Sequence, residues 1–126
     1  MINPVCWFEI YVNDLQRARI FYETVLNIKL TDFHNPDSSQ DIQMKHFPFD
    51  MQLYGATGAL VKMEGVLAGG NSTIVYFNSD DCAIEQARIE SAGGKIHQTK
   101  MSIGEHEHIV LAIDTEGNMF GIHSMK

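Results

Sequence analysis

Apolar, β-branched and aromatic residues crowd the segment Val5-Cys6-Trp7-Phe8-Glu9-Ile10-Tyr11-Val12, in which Glu9 is the single charge. So short a run bounded by polar residues predicts a buried strand. Asn13-Asp14 ends it, and an Asp oxygen there can cap a helix by accepting from the free N–H groups of the first turn. Leu15, Ala18, Phe21, Tyr22, Val25 and Leu26 then recur at helical spacing, with Gln16, Arg17 and Glu23 on the wet side, so an amphipathic helix is predicted. Ile28–Phe33, Ile42–Phe47, Met51–Tyr54 and Gly58–Met63 read as extended, with a turn at Asn35-Pro36-Asp37-Ser38-Ser39 and a break at Pro48.

The second half repeats this order. Ser72–Phe77 reads as a strand, Asp80-Asp81 as a second acidic helix start, and Cys82–Ala92 as a helix closed by Gly93-Gly94, where glycine supplies the left-handed C-terminal position. Lys95–Thr99, Ile109–Ile113 and Met119–His123 are strand-like, the last two joined by the turn Asp114-Thr115-Glu116-Gly117-Asn118. Laying Asp14 on Asp81 puts strand on strand and helix on helix, and Gly58–Lys62 likewise matches Gly117–Gly121 after a shorter connection. The unit is βαβββ, used twice, in modules of about residues 1–66 and 67–126 within one α+β domain. Each unit has one bare sheet face, so pairing two of them creates a shared concave interior.

Composition narrows the function. The 126 residues are 44% apolar and 20% charged, a globular balance that excludes disorder. Nine basic against sixteen acidic residues give a net charge of −7, which argues against nucleic acid or an anionic membrane as partner. No apolar run reaches membrane-spanning length and the N-terminus has no signal-peptide pattern, so a soluble, cytoplasmic protein is expected. Cys6 and Cys82 lack metal-type spacing and read as free thiols.

The stretches Trp7–Leu15 with Ala18 and Phe21-Tyr22, Val75–Asp81, Ala92–Lys95 and Asp114–Asn118 together resemble the vicinal oxygen chelate superfamily, which includes glyoxalase I, extradiol dioxygenases and bleomycin-resistance proteins. The resemblance covers nearly the whole chain and is weakest between about His34 and Thr57. It implies two βαβββ modules pairing into an incomplete eight-stranded barrel, and commonly a homodimer. Metal enzymes of the family place one His, Gln or Glu ligand on each of four strands. By the motif offsets those positions are Trp7, Lys62, Ile74 and Gly121, and Trp, Ile, Gly and a protonated Lys do not bind Zn²⁺, Ni²⁺ or Fe²⁺. No metal and no cofactor are therefore expected.

Side chains alternate along a strand, so the residues in phase with those positions should share the inner face: Trp7, Glu9 and Tyr11; Leu60, Lys62 and Glu64; Ile74, Tyr76 and Asn78; Met119, Gly121 and His123. Aromatic walls with a few polar tips are usual in small-molecule sites. The expected ligand-binding set is Trp7, Glu9, Tyr11, Leu60, Lys62, Ile74, Tyr76, Met119, Gly121 and His123. Glu9 and Lys62 are also candidate catalytic groups, a base and an enolate stabiliser for removal of a proton beside a carbonyl. Against this stands the plainer possibility that Glu9 and Lys62 form a structural ion pair and that Trp7 and Tyr76 are core.

His106 and His108 make a His-x-His pair, but a metal needs a third ligand and supporting partners, so a solvated loop at the cavity mouth is the simpler expectation. His34, His46 and His97 carry no claim, and no base is placed for either cysteine. Three functions stay open. The first is a metal-free small-molecule-binding protein, sequestration being one version, with the acidic balance suiting a cationic ligand. The second is a lyase, isomerase or epimerase of the same fold using Glu9, or a glyoxalase-like metal enzyme if the ligand alignment is displaced. The third is a dimeric interaction module whose cavity is filled by its own side chains.

Overall fold

The computed structural model describes residues 3–33 and 42–126. Strand β1 (Trp7–Tyr11), helix α1 (Leu15–Leu26) and strands β2 (Thr31–Asp32), β3 (Ile42–His46) and β4 (Thr57–Met63) form the first half. Strand β5 (Tyr76–Ser79), helix α2 (Cys82–Ile89) and strands β6 (Lys95–Ser102), β7 (His108–Ile113) and β8 (Met119–Ser124) form the second. Each half is one four-stranded sheet, in the orders β1-β4-β3-β2 and β5-β8-β7-β6. In each sheet the first and last strands pair in parallel across the helical crossover, and the others pair antiparallel. The two sheets are not closed into a barrel.

Both helix starts follow from the acidic residue before them. Asp14 accepts from the Arg17 N–H and Asp81 from the Ala83 N–H, satisfying donors that a helix leaves free at its first turn. Leu15, Ala18, Phe21, Tyr22 and Val25 are buried along one side of α1. They share one apolar core with Ile10 and Leu60 of the first sheet and Val110, Phe120 and Ile122 of the second. Each sheet thus turns one face into a common core and leaves the other face open.

Several segments differ from the sequence expectation. Met51–Tyr54 is a succession of turns, not a strand. Among the described residues no strand pairs with it, and Met51 and Tyr54 are 84% and 104% exposed. Strand β2 keeps only two residues of Ile28–Phe33, because Ile28 packs against the core while Leu30 is buried in it. Strand β5 begins at Tyr76 rather than Ser72, and β6 runs on to Ser102. The expected turn at residues 35–39 lies outside the described residues. Among the described residues, no helix is long and apolar enough to cross a membrane.

The turn predicted at 114–118 is the clasp between the halves. Asp114 folds it by accepting from the Glu116 and Asn118 N–H groups, and Gly117 takes the positive φ of 83° that the reversal requires. Glu116 then reaches the N-terminal half: its Oε1 accepts from the Asn13 and Asp14 N–H groups at 2.9 and 2.8 Å. Arg17 grips the same carboxylate with Nε and Nη2 at 2.6 and 3.0 Å. The Asn118 amide donates to the Tyr11 carbonyl at 2.8 Å, and the Tyr22 hydroxyl donates to Asp114 at 2.6 Å in the core.

Candidate functional site

Strand β1 fixes the site by alternation. Phe8 and Ile10 turn to the core, which leaves Trp7, Glu9 and Tyr11 together on the open face. The Glu9 carboxylate lies between its two neighbours. Trp7 Nε1 donates to Oε2 at 3.2 Å and the Tyr11 hydroxyl donates to Oε1 at 2.9 Å. Donation to Glu9, then partial burial and the Glu9 charge, hold the Tyr11 pKa above that of a free phenol. The register pairs Glu9 with Ala59 and Ala59 with His46, so His46 joins the same face. Its ring meets Trp7 edge-on at 5.2 Å between centroids, and Phe33 stacks on it at 4.7 Å.

On the second sheet, Tyr76 pairs with Gly121, Asn78 with His123, and Met119 with Ile113, so these residues share the open face there. His123 Nε2 lies 3.0 Å from Glu107 Oε1, brought over by the loop before β7. Where β1 meets the second sheet, a crevice of about 220 Å³ opens. Glu9 and Tyr11 line it from one half and Val75 and Met119 from the other, with Leu67 and Asn71 of the connecting segment at its edge. Tyr22 and Phe120 also line it. Asn71 bridges within this segment and to the sheet, donating to the Thr73 and Met119 carbonyls and accepting from the Met119 N–H.

Of the expected residues, Glu9, Tyr11 and Met119 line one crevice, and Leu60 and Lys62 are turned away from it. Trp7, Glu9, Tyr11, Tyr76, Met119, Gly121 and His123 lie on the open faces. Ile74 precedes β5 in the same phase and is 36% exposed. Leu60 and Lys62 are on the opposite face of their strand. Leu60 pairs with Ile10 and is fully buried in the core, and Lys62 stands two residues further along the same side. The inner-face residues of β4 are Thr57, Ala59 and Val61. Glu9 and Lys62 therefore form neither the expected ion pair nor a catalytic pair acting on one molecule. The overlay of Gly58–Lys62 on Gly117–Gly121 fails because Glu9 opposes Ala59 as Tyr76 opposes Gly121. The repeat partner of Gly121 is thus Ala59.

This register tests the metal positions again. They fall on Trp7, Ala59, Ile74 and Gly121, an indole, a methyl group, an aliphatic chain and a bare α-carbon, which offer no donor set for Zn²⁺, Ni²⁺ or Fe²⁺. Gly121 is moreover covered: a β-carbon built on it would lie 2.4 Å from the Tyr76 ring. A four-ligand chelate does not fit these residues. His106 does not pair with His108 either. His106 is exposed in a turn, while His108 heads β7. Among the described residues, no group of three or more His, Cys, Asp or Glu is gathered as metal ligands would be. Cys6 is exposed and Cys82 buried, both as free thiols.

The sequence reading missed His46, Phe33 and Glu107. Correct phasing of β4 would have brought in His46 through Ala59. Glu107 gives no local signal, since only the loop path carries it to His123.

Residues 5–122 match the Glyoxalase/Bleomycin resistance protein/Dioxygenase superfamily, and the chain belongs to it. The fold is similar to that of a glyoxalase I mutant from Zea mays, with a TM-score of 0.74 at 21% identity over 97% of this chain and 46% of the maize chain. The chain thus spans about half the length of that relative. It is also similar to a glyoxalase/bleomycin resistance protein from Albidiferax ferrireducens, with a TM-score of 0.67 at 16% identity over 97% of this chain and 99% of that one. An integron cassette protein from V. cholerae gives a TM-score of 0.67 at 18% identity over 100% and 98% of the two chains. No curated protein matches the sequence.

Proposed function

We propose that this protein binds a small organic molecule without a chelated metal, in the crevice between β1 and the second sheet and over the open faces beside it. The observation that carries this reading is the Glu9 carboxylate held between Trp7 and Tyr11 at the edge of an apolar crevice. A carboxylate framed by aromatic rings attracts a positive charge or N–H donors and stacks a planar ligand. We therefore assign a planar, cationic ligand class, with Trp7, Tyr76 and Met119 as walls and Glu9 and His123 as polar anchors. Sequestration fits this better than proton abstraction. Both Glu9 oxygens already accept from Trp7 and Tyr11, and Lys62 is on the wrong face to stabilise an enolate.

The two halves, about residues 1–66 and 67–126, act in this reading as one domain, since ligand and clasp both span them. We further propose a cytoplasmic homodimer, on the ground that Phe49, Met51 and Leu53 are 67%, 84% and 70% exposed and ask for apolar cover. Light scattering tests that directly, and a monomer at all concentrations would remove it.

The ligand class is tested with size-matched fluorescent dyes, proflavine as the planar cation and a sulfonated analogue as the anion. Proflavine should bind saturably and quench Trp7, the single tryptophan, and the anion should not. Equal binding of both dyes, or of neither, would defeat the assignment.

A further inference from the structure

A second cavity, of about 210 Å³, lies at the other end of the seam and shares no lining residue with the first. Its walls are three phenylalanines from both halves. Phe8 and Phe47 are 5.5 Å apart between ring centroids, Phe8 and Phe77 6.0 Å, and Phe47 and Phe77 5.5 Å. Ala56 stands at the mouth, and Glu85 and Asn78 provide polar edges. The Tyr22 ring separates the two cavities. It lines the first and packs on Phe47 and Phe77 of the second, each at 5.8 Å.

We infer that this second cavity is a binding site for a monocyclic aromatic amine in its ammonium form. Size, wall chemistry and charge each limit the occupant. A cavity of roughly 150 Å³ accepts benzene, so about 210 Å³ holds one ring and a short side arm. Three phenyl walls favour an aromatic ring packed edge to face. Glu85 is the only charged side chain among the lining residues. The Ser79 hydroxyl holds its Oε1 at 2.5 Å, which orients the carboxylate toward this end of the seam. A carboxylate at the rim of an apolar slot selects an ammonium group and rejects an anion. The inference is independent of the reading of Glu9, since the two cavities are separate.

Benzylamine is the probe, with benzoate as its anionic counterpart, followed by amide NMR shifts and calorimetric titration on the full chain. Saturable binding with shifts concentrated at Thr57, Phe77 and Asn78 is expected, with none for benzoate. Ala56→Trp should close the exposed mouth and abolish binding. Glu85→Gln keeps a partner for Ser79 and should weaken binding by about tenfold, one lost charged contact. The inference is overturned if benzylamine does not saturate, if benzoate binds as well, or if the shifts centre on Glu9, Tyr11 and Asn71.

Discussion

The Tyr76 ring lies directly over the α-carbon of Gly121, close enough to exclude any side chain there. The aromatic ring fills, from the neighbouring strand, the space that a fourth metal ligand would need. At Gly58 a β-carbon would meet the Phe8 carbonyl oxygen at 2.0 Å before the Phe8 ring at 2.7 Å, so there the main chain of β1 also excludes a side chain. Glycine in a strand interior loses entropy and packing, and a ring lying across it restores the packing.

Introducing a side chain at Gly121 should therefore destabilise the fold. Gly121→Ala is expected to cost about 1–3 kcal/mol through overpacking, read from the urea midpoint. In the background of Tyr76→Ala the same change should cost less than about 1 kcal/mol. Additive effects of the two substitutions would show that ring and glycine are not coupled.

The clasp makes stability depend on acid in a defined direction. Burial raises the Glu116 pKa, but Arg17, the Asp14 and Asn13 N–H groups and the Thr115 hydroxyl outweigh it, and the net shift is downward. A lowered carboxylate pKa contributes stability that is present above the ordinary glutamate range and is lost as pH falls through the folded value. Glu116→Gln should cost about 2 kcal/mol near neutrality and should flatten the acid limb of a urea midpoint series run from about pH 7 to about pH 3. Asp114 works with the opposite sign. Burial lifts its pKa above the usual range despite the bonds it accepts from Tyr22, Asn118 and Glu116, so its share of stability falls as pH rises through that window. An unchanged acid limb in Glu116→Gln would place the acid sensitivity elsewhere.

The Glu9 triad has a spectroscopic signature. The Tyr11 phenol ionises above its ordinary value because it donates to Glu9, is partly buried and faces the Glu9 charge. Glu9→Gln removes the charge, so one tyrosine of the ultraviolet phenolate titration should move to lower pH. The same variant should shift the Trp7 emission, since its indole loses a charged acceptor. A titration curve unchanged by Glu9→Gln would mean that the triad is not formed in solution.

Lys62 supplies the control for the register of β4. It lies on the other face of the sheet from Glu9, so Lys62→Ala should leave proflavine affinity within about twofold, well under 1 kcal/mol. A loss of about tenfold would return Lys62 to the site.

How much of this was legible depended on how many constraints each residue met. Helix α1 and both Asp caps were readable because spacing, polarity and cap chemistry agree over Asp14–Leu26. The open face of β1 was readable because Glu9 lies between apolar neighbours and sets the phase. Strand β4 was not, because Gly58-Ala59-Leu60-Val61 is apolar throughout and alternation gives no phase. Gly58, Ala59, Leu60 and Val61 are all buried, so the apolar run carries no mark of its inner face, and matching Gly58 to Gly117 puts Lys62 where the register puts Ala59. The turn at 114–118 was recognised from its composition, but its role as clasp was not. The bonds from Glu116 to Asn13, Asp14 and Arg17 span about a hundred residues of sequence, and no local pattern encodes them.

Whether the site works without metal is read from the affinity of proflavine in a chelator compared with the same titration after adding Zn²⁺ or Ni²⁺, for the native chain and for Glu9→Gln. Metal-free binding at Glu9 predicts one affinity under all metal conditions and a loss of about tenfold in Glu9→Gln, a charged contact worth about 1.4 kcal/mol or more. Binding that appears only with about one metal per chain, or that is indifferent to Glu9, would contradict it.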